Sequence, residues 1–124
     1  MSSGDELRRL ADHFRSVNVE AVVSPVLSKA GAVMRDRARQ EAPSGPHLQM
    51  KGGQSYADFI IFQRPSRMRV EVGAMESGLG GLSAILEYGQ GANAPHPHIV
   101  PQLDREAEVT QGYLADAVVK AIRG

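Results

Sequence analysis

The chain has 124 residues, the usual size of one domain, and its 14 Lys plus Arg balance 14 Asp plus Glu. This balance excludes the overall basic field that drives sequence-independent binding to free DNA. There is no cysteine, which excludes disulfides and thiolate chemistry. With no visible signal peptide and no apolar run near the roughly 20 residues that span a bilayer, we expect a soluble cytoplasmic product with no membrane partner.

Two amphipathic helices are predicted in the first third of the chain. Ser3 to Glu6 has the Ser-x-x-Glu form of a capping box, and an apolar stripe at spacings of three and four follows it: Leu7, Leu10, Phe14 and Val17. Ser24-Pro25 is predicted to begin the second helix, because serine caps free amides and proline suits the first helical position. Pro43 is predicted to end it.

The middle of the chain predicts a β-hairpin between two glycine-rich loops. Residues 44–53 and 74–81 are expected to be mobile loops. Tyr56 to Phe62 is rich in residues that favour strands, and Arg67 to Gly73 alternates apolar and charged side chains. The segment from Gln63 to Ser66 is the predicted turn.

The last third predicts an extended connection followed by a helix. Leu82 to Tyr88 is apolar and is compatible with either a third strand or a short helix. Pro95, Pro97 and Pro101 restrict the connection, and a helical stripe runs from Leu103 to Ile122. We therefore expect a single α+β domain over residues 1–124, with a small antiparallel sheet packed by an N-terminal helical pair and a long C-terminal helix.

One cluster of histidines is the only group of residues that suggests a metal site. His96 and His98 lie one residue apart, and His47 with Glu87 or Asp104 would have to complete a site. We favour the simpler interpretation that these histidines lie in a proline-rich connection at the surface and bind no metal, since no helical His-x-x-x-His pair is present. No phosphate-binding loop or nucleophile motif occurs either. We therefore expect no metal, no cofactor, no catalytic residue and no enzymatic activity.

Arg64, Arg67 and Arg69, with Lys51 near them in sequence, concentrate positive charge on the predicted hairpin. Repeated around a ring, these arginines would create a field suited to a channel through which DNA passes. The simpler interpretation is a solvated strand face whose charges keep the sheet edge from aggregating. Both interpretations remain open at the level of the sequence.

Glu87-Tyr88-Gly89, followed after a polar gap by Ala94 to Pro101, resembles the motif of the neck and tail-completion proteins of long-tailed bacteriophages. In that family an amphipathic helix ends in Ala-Pro, a Gly-containing loop and strands follow, and prolines precede a C-terminal helix. The matching positions are Pro43, Gly45, Leu48, Glu87, Tyr88, Gly89, Pro97 and Pro101. The segment Ser44 to His47 lacks the family's loop threonine, and Gln90 replaces the threonine common after the glycine.

This resemblance implies a structural virion protein, made in the cytoplasm of a bacterial host. It implies a ring in the neck or at the head-proximal end of the tail, needed for head–tail joining. The implied partners are further copies of the chain, other neck, head-closure and tail-terminator proteins, and DNA passing through the channel. The alternative is a small nucleic-acid-binding module that uses the arginine hairpin. A metal-dependent hydrolase built on His96 and His98 is a third hypothesis.

Overall fold

The computed structural model describes residues 3–50, 52–74 and 79–123. Its helices and strands are, in chain order, α1 (Ser3–Ser16), α2 (Val19–Glu41), β1 (Ile60–Ser66), β2 (Arg69–Ala74), α3 (Leu79–Tyr88) and α4 (Val100–Arg123). Two short 3₁₀ turns, Pro46–Leu48 and Tyr56–Phe59, lie between α2 and β1. The strands pair antiparallel. The predicted α+β class, with helices before the sheet and a long helix at the end, is confirmed.

Helix α1 confirms the first predicted helix, and two residues of its predicted apolar stripe face solvent. Leu7 is 68% exposed and Leu10 is 58% exposed. The two residues are three positions apart and therefore share one face. The helix ends at Ser16, whose hydroxyl donates to the His13 carbonyl at 2.6 Å. α1 thus leaves these two leucines uncovered.

Helix α2 begins earlier than predicted. The side chain of Asn18 accepts a hydrogen bond from the Ala21 amide at 3.1 Å, so the helix starts at Val19 and Pro25 lies inside it. The prediction that Ser24-Pro25 forms the start is therefore wrong. Asparagine caps a helix as well as serine does, and an exposed proline in the second turn removes just one intrahelical hydrogen bond. The predicted end before Pro43 is confirmed.

The predicted hairpin is present, but its boundaries differ. Tyr56–Phe59 form a 3₁₀ turn and not a strand, because the Asp58 carboxylate accepts hydrogen bonds from the Ser55 amide at 3.0 Å and its hydroxyl at 3.1 Å. The predicted turn from Gln63 to Ser66 is also wrong, since β1 runs through it and the chain reverses at residues 67 and 68. The register shifts between Gln63 and Ser66, around Pro65, which cannot donate to a strand ladder.

The buried core lies between the C-terminal half of α2 and the hairpin. Its cluster of buried residues consists of Ala38, Leu48, Tyr56, Ile60 and Ala74. Nearer the N-terminus of α2, Gly31 allows the helix to approach the hairpin closely, because a Cβ at this position would lie 2.6 Å from the Phe62 ring and 2.8 Å from Val70. A glycine within a helix is thus explained by packing.

The segment left open by the sequence is the helix α3. Leu82 and Leu86, four residues apart, pack against the core cluster from one helical face. Part of the predicted mobile loop 74–81, residues 75–78, lies outside the described residues. In the other predicted loop, 44–53, Leu48 is buried and Gln49 forms a β-bridge with Ser55. The loop at 74–81 is shorter than predicted, because Ala74 belongs to β2 and residues 79–81 begin α3. The mobility of both loops stays a prediction.

Helix α4 confirms the predicted C-terminal helix and packs antiparallel to α2. Gln102 contacts Glu41 near one end of the pair, and Lys29 lies 5.6 Å from the Tyr113 ring towards the other. Helix α2 thus lies at the centre of the fold, with the hairpin and α4 both packed against it. Pro101 lies in the first turn of α4, where its missing amide sacrifices no intrahelical hydrogen bond. Within the described residues, no helix is both long and apolar enough to span a membrane.

Candidate functional site

The Glu87 carboxylate, in the last turn of α3, caps the start of α4. It is 5% exposed, and both oxygens accept from the His98 amide at 3.2 Å. Oε1 also accepts from the Ile99 amide at 2.8 Å, and Oε2 from the Val100 amide at 3.1 Å. A helix start leaves such amides without partners, and its dipole favours a negative charge there. Glu87 therefore joins two helices that are separated by a proline-rich connection.

His98 is fully buried beside this carboxylate. Its Nδ1 lies 2.9 Å from the His96 carbonyl oxygen and 3.4 Å from Glu87 Oε1. Since the carbonyl only accepts, Nδ1 carries the proton in that hydrogen bond. Nε2 lies 2.8 Å from the Tyr56 hydroxyl, which in turn lies 3.0 Å from Ser83 Oγ. His98 thus connects the start of α4 to the 3₁₀ turn and to α3.

The Tyr56 phenol is held neutral by this environment. Burial raises the pKa of Tyr56, the hydrogen bond with Ser83 opposes the rise, and the negative charge of Glu87 adds to it. Tyr56 therefore serves as a neutral hydrogen-bonding partner for His98 at the centre of the core.

A second polar connection joins α4 to the end of α2. Gln102 is fully buried, and its Nε2 donates to Glu41 Oε2 at 2.5 Å and to the His98 carbonyl at 3.2 Å. Arg105 donates to Glu41 Oε1 at 2.6 Å. The hydrogen bond from Arg105 lowers the pKa of Glu41 below its ordinary 4.5; desolvation opposes this, and Gln102 adds to the lowering. We call Glu41, Tyr56, Glu87, His98 and Gln102 the polar junction.

Several motif residues meet at the polar junction. Gly89 ends α3 with φ +79°, and its amide donates to the Ile85 carbonyl at 2.7 Å. A Cβ on Gly89 would lie 2.8 Å from the Asn93 carbonyl oxygen, so this tight turn requires glycine. Pro97 precedes the buried His98. Tyr88, in contrast, is 70% exposed and makes no part of the junction.

The earlier motif residues lie at the end of α2. Pro43 follows the helix, Gly45 precedes the first 3₁₀ turn, and Leu48 is 3% exposed within the core cluster. His96 Nε2 lies 2.9 Å from the Glu41 carbonyl oxygen. The two halves of the motif, far apart in sequence, are therefore brought together at this end of α2.

The three hairpin arginines have different surroundings. Arg64 directs all three guanidinium nitrogens at acceptors: Nε donates to the Arg69 carbonyl at 2.8 Å, Nη1 to the Ser24 carbonyl at 2.7 Å and to the Ser28 hydroxyl, and Nη2 to the Arg67 carbonyl at 2.6 Å. Arg64 thus fastens the hairpin to α2. Arg67 and Arg69 are exposed, and the contact of any of these arginines with DNA stays a prediction.

The expectation that the His-Pro-His segment lies on the surface is wrong for His98, because Glu87 and Tyr56 supply partners that allow its burial. His96 and His47 are exposed. The rings of His96 and His98 are 6.5 Å apart and bind different partners. In the part of the chain that the structure describes, no group of three His, Asp or Glu side chains is arranged to hold a metal ion.

Sequence reasoning missed three members of the polar junction, namely Glu41, Tyr56 and Gln102. Acidic and amide residues near helix ends are common on surfaces, so nothing local marks Glu41 or Gln102. The one available signal was Tyr56, because a buried tyrosine needs a hydrogen-bonding partner for its hydroxyl.

The polar groups at the centre of the junction are occupied by partners within the protein. The Glu87 oxygens accept from three backbone amides, and both ring nitrogens of the buried His98 have protein partners.

Comparisons of the chain with protein-family models, with curated proteins and with solved structures gave no match.

Proposed function

We propose that this protein is a structural subunit of the virion of a long-tailed bacteriophage. In this proposal many copies form a ring, in the neck or at the head-proximal end of the tail, that is needed to join heads to tails. The observation that carries the proposal is the motif from Glu87 to Pro101, whose Glu87, Gly89 and His98 all contribute to the start of α4.

The geometry of the polar junction supports a role in assembly. A closed ring needs heterologous contacts, in which one surface of a subunit meets a different surface of the next at a constant angle. The Glu87 cap, the glycine turn at Gly89 and the prolines 97 and 101 hold α4 at a defined angle to α3 and the core. A subunit with this rigid frame can repeat the same contact around a ring.

The proposed partners are further copies of the chain and neighbouring neck, head-closure and tail-terminator proteins. The arginines proposed to face DNA in a channel are Arg67 and Arg69, since Arg64 is used within the fold. Arg69 also forms an ion pair with Glu71 at 3.0 Å. This reduces the support for the alternative of a DNA-binding module based on all three arginines. No catalytic step is part of the proposal.

The decisive experiment is genetic and structural, in the parent phage. Loss of the gene is expected to leave filled heads and complete tails unjoined in electron micrographs, and supplying the protein in trans should restore joined particles. A reconstruction of the head–tail junction should contain repeated density that fits α2, the hairpin and α4. Normal infectious particles without the protein would contradict the proposal.

A further inference from the structure

An open apolar groove runs between α2 and α4. It has a volume of about 610 Å³, and its lining residues all belong to these two helices. Val26 and Val33 line it from α2, and Val109 and Tyr113 from α4. Val109 is 50% exposed and Tyr113 is 55% exposed. The groove is therefore concave and mainly apolar, and charged side chains such as Lys29 and Asp116 also line it.

Helix α1 has the complementary shape. Its exposed stripe, Leu7 and Leu10, is the kind of surface that lies in the apolar groove of a partner. With 14 residues, α1 is about 20 Å long at 1.5 Å per residue. The groove extends along α4 from Glu106 to Lys120, which is also about 20 Å. One α1 helix therefore fits the groove end to end.

The charges specify the direction in which α1 would bind. Helix α1 has acidic residues, Asp5 and Glu6, in its first turn and basic residues in its last. Helix α4 has Lys120 and Arg123 in its last turn, whereas Glu106, in its first half, is already paired with Arg37 of α2 at 2.8 Å. The acidic first turn of α1 therefore meets opposite charge when α1 lies antiparallel to α4, while the parallel direction places the basic last turn of α1 beside Lys120 and Arg123.

The middle of the contact agrees with this direction. When the Asp5 end of α1 is level with Lys120, the helical rise places Arg9 level with Asp116, which lines the groove. Leu7 and Leu10 are then level with Val118 and Ala115, within two residues of the groove residues Ala117 and Tyr113. The apolar stripe of α1 therefore lies over the apolar floor of the groove.

We propose that α1 of one copy binds in the α2/α4 groove of a second copy, antiparallel to α4. The two surfaces differ, so the contact is heterologous and repeats from head to tail, as a ring requires. This inference deepens the proposed function and rests on it for the closure of the chain of copies into a ring. The pairwise contact itself is a property of the purified protein.

Two variants separate the two halves of the contact. Leu7→Gln with Leu10→Gln alters α1, and Val109→Gln with Tyr113→Gln alters the groove. All four side chains are largely exposed, and glutamine is a good helix former, so both variants should keep the wild-type far-UV circular dichroism spectrum. The matched control, Leu103→Gln with Val119→Gln, changes exposed apolar residues of α4 that do not line the groove.

Sedimentation over a range of concentrations is the measurement. The wild type and the control should self-associate, and each contact variant should lose about 100-fold or more in association constant. An equimolar mixture of the two contact variants should form a one-to-one heterodimer, because the intact α1 of the groove variant meets the intact groove of the α1 variant. Such rescue by mixing requires a heterologous contact between copies.

Two results would overturn the inference. One is a wild type that remains monomeric at about 1 mM. The other is a mixture that remains monomeric while both contact variants unfold at lower urea concentration than the wild type, which is the result expected if α1 fills the groove of its own chain. Either result leaves the genetic test of head–tail joining unaffected, so failure of this contact and failure of the proposed function are distinguishable.

Discussion

Removing the Glu87 carboxylate tests the polar junction most directly. The Glu87→Gln side chain has the same shape, but it has one acceptor oxygen and an amide group that meets the backbone donors. Glu87→Ala removes all the acceptors. In both variants some of the amides of His98, Ile99 and Val100 lose their partner, and the positive end of the α4 dipole loses its counter-charge.

The structure sets the size of the effect. A hydrogen bond to a charged group contributes about 1.5–3 kcal/mol, and a buried donor left without a partner costs about 1–3 kcal/mol. Three amides are involved, but Ile99 and Val100 are only partly buried, so water can replace part of the loss. We therefore expect Glu87→Gln to lower the free energy of unfolding by about 2–3 kcal/mol and Glu87→Ala by about 3–5 kcal/mol.

The assay is urea denaturation followed by circular dichroism, together with amide hydrogen exchange. Glu87→Gln should shift the midpoint by roughly 1–2 M at unchanged slope, and the amides of residues 98–100 should exchange faster. The control is Glu108→Gln, an exposed glutamate on α4, which should change stability by less than about 0.5 kcal/mol. Equal stabilities of the Glu87→Gln and Glu108→Gln variants would refute the capping role.

Three further predictions concern glycine packing and pH. Gly89→Ala should cost about 2–3 kcal/mol in urea denaturation, since φ is +79° and the new Cβ would lie 2.8 Å from a backbone oxygen; wild-type stability would contradict this. Gly31→Ala should lower the free energy of unfolding by about 1–2 kcal/mol through overpacking. Gly112 has open space around it, so Gly112→Ala should raise the free energy of unfolding by about 0.5–1 kcal/mol. A change of the same sign in both variants would be inconsistent with the structure. The hydrogen bond from Arg105 is the main cause of the lowered pKa of Glu41 in the folded protein. As pH falls, Glu41 is therefore protonated in the unfolded chain before it is protonated in the folded protein. The stabilisation from the ionised Glu41 is therefore complete above about pH 4.5 and is lost as pH falls through the lower pKa of the folded state. The difference in unfolding free energy between wild type and Glu41→Gln should therefore shrink from about pH 7 to about pH 3. A constant difference would argue against a lowered pKa of Glu41.

The motif was the part of the candidate site that the sequence could reveal, because its residues are close together along the chain. Its physical role was not visible there. Glu87 and Gly89 are separated by one residue, yet they act differently. Glu87 caps α4, which begins thirteen residues later, and Gly89 permits the turn between α3 and α4. The partners Tyr56 and Glu41 come from distant segments, so no local pattern connects them to the motif.

The sequence alone determined the existence of α1, α4 and the hairpin, together with the end of α2 before Pro43. These features depend on periodicity and on the backbone limits of single residues, which act over a few positions. The start of α2 at Val19 is also a local matter, since Asn18 caps it through the Ala21 amide three residues away. Only the tertiary structure decided that Leu82 to Tyr88 is helical. It also decided that Arg64 binds Ser24 instead of remaining free at the surface. In these cases the local preferences were nearly balanced, and burial against distant segments, with hydrogen bonds between them, determined the outcome.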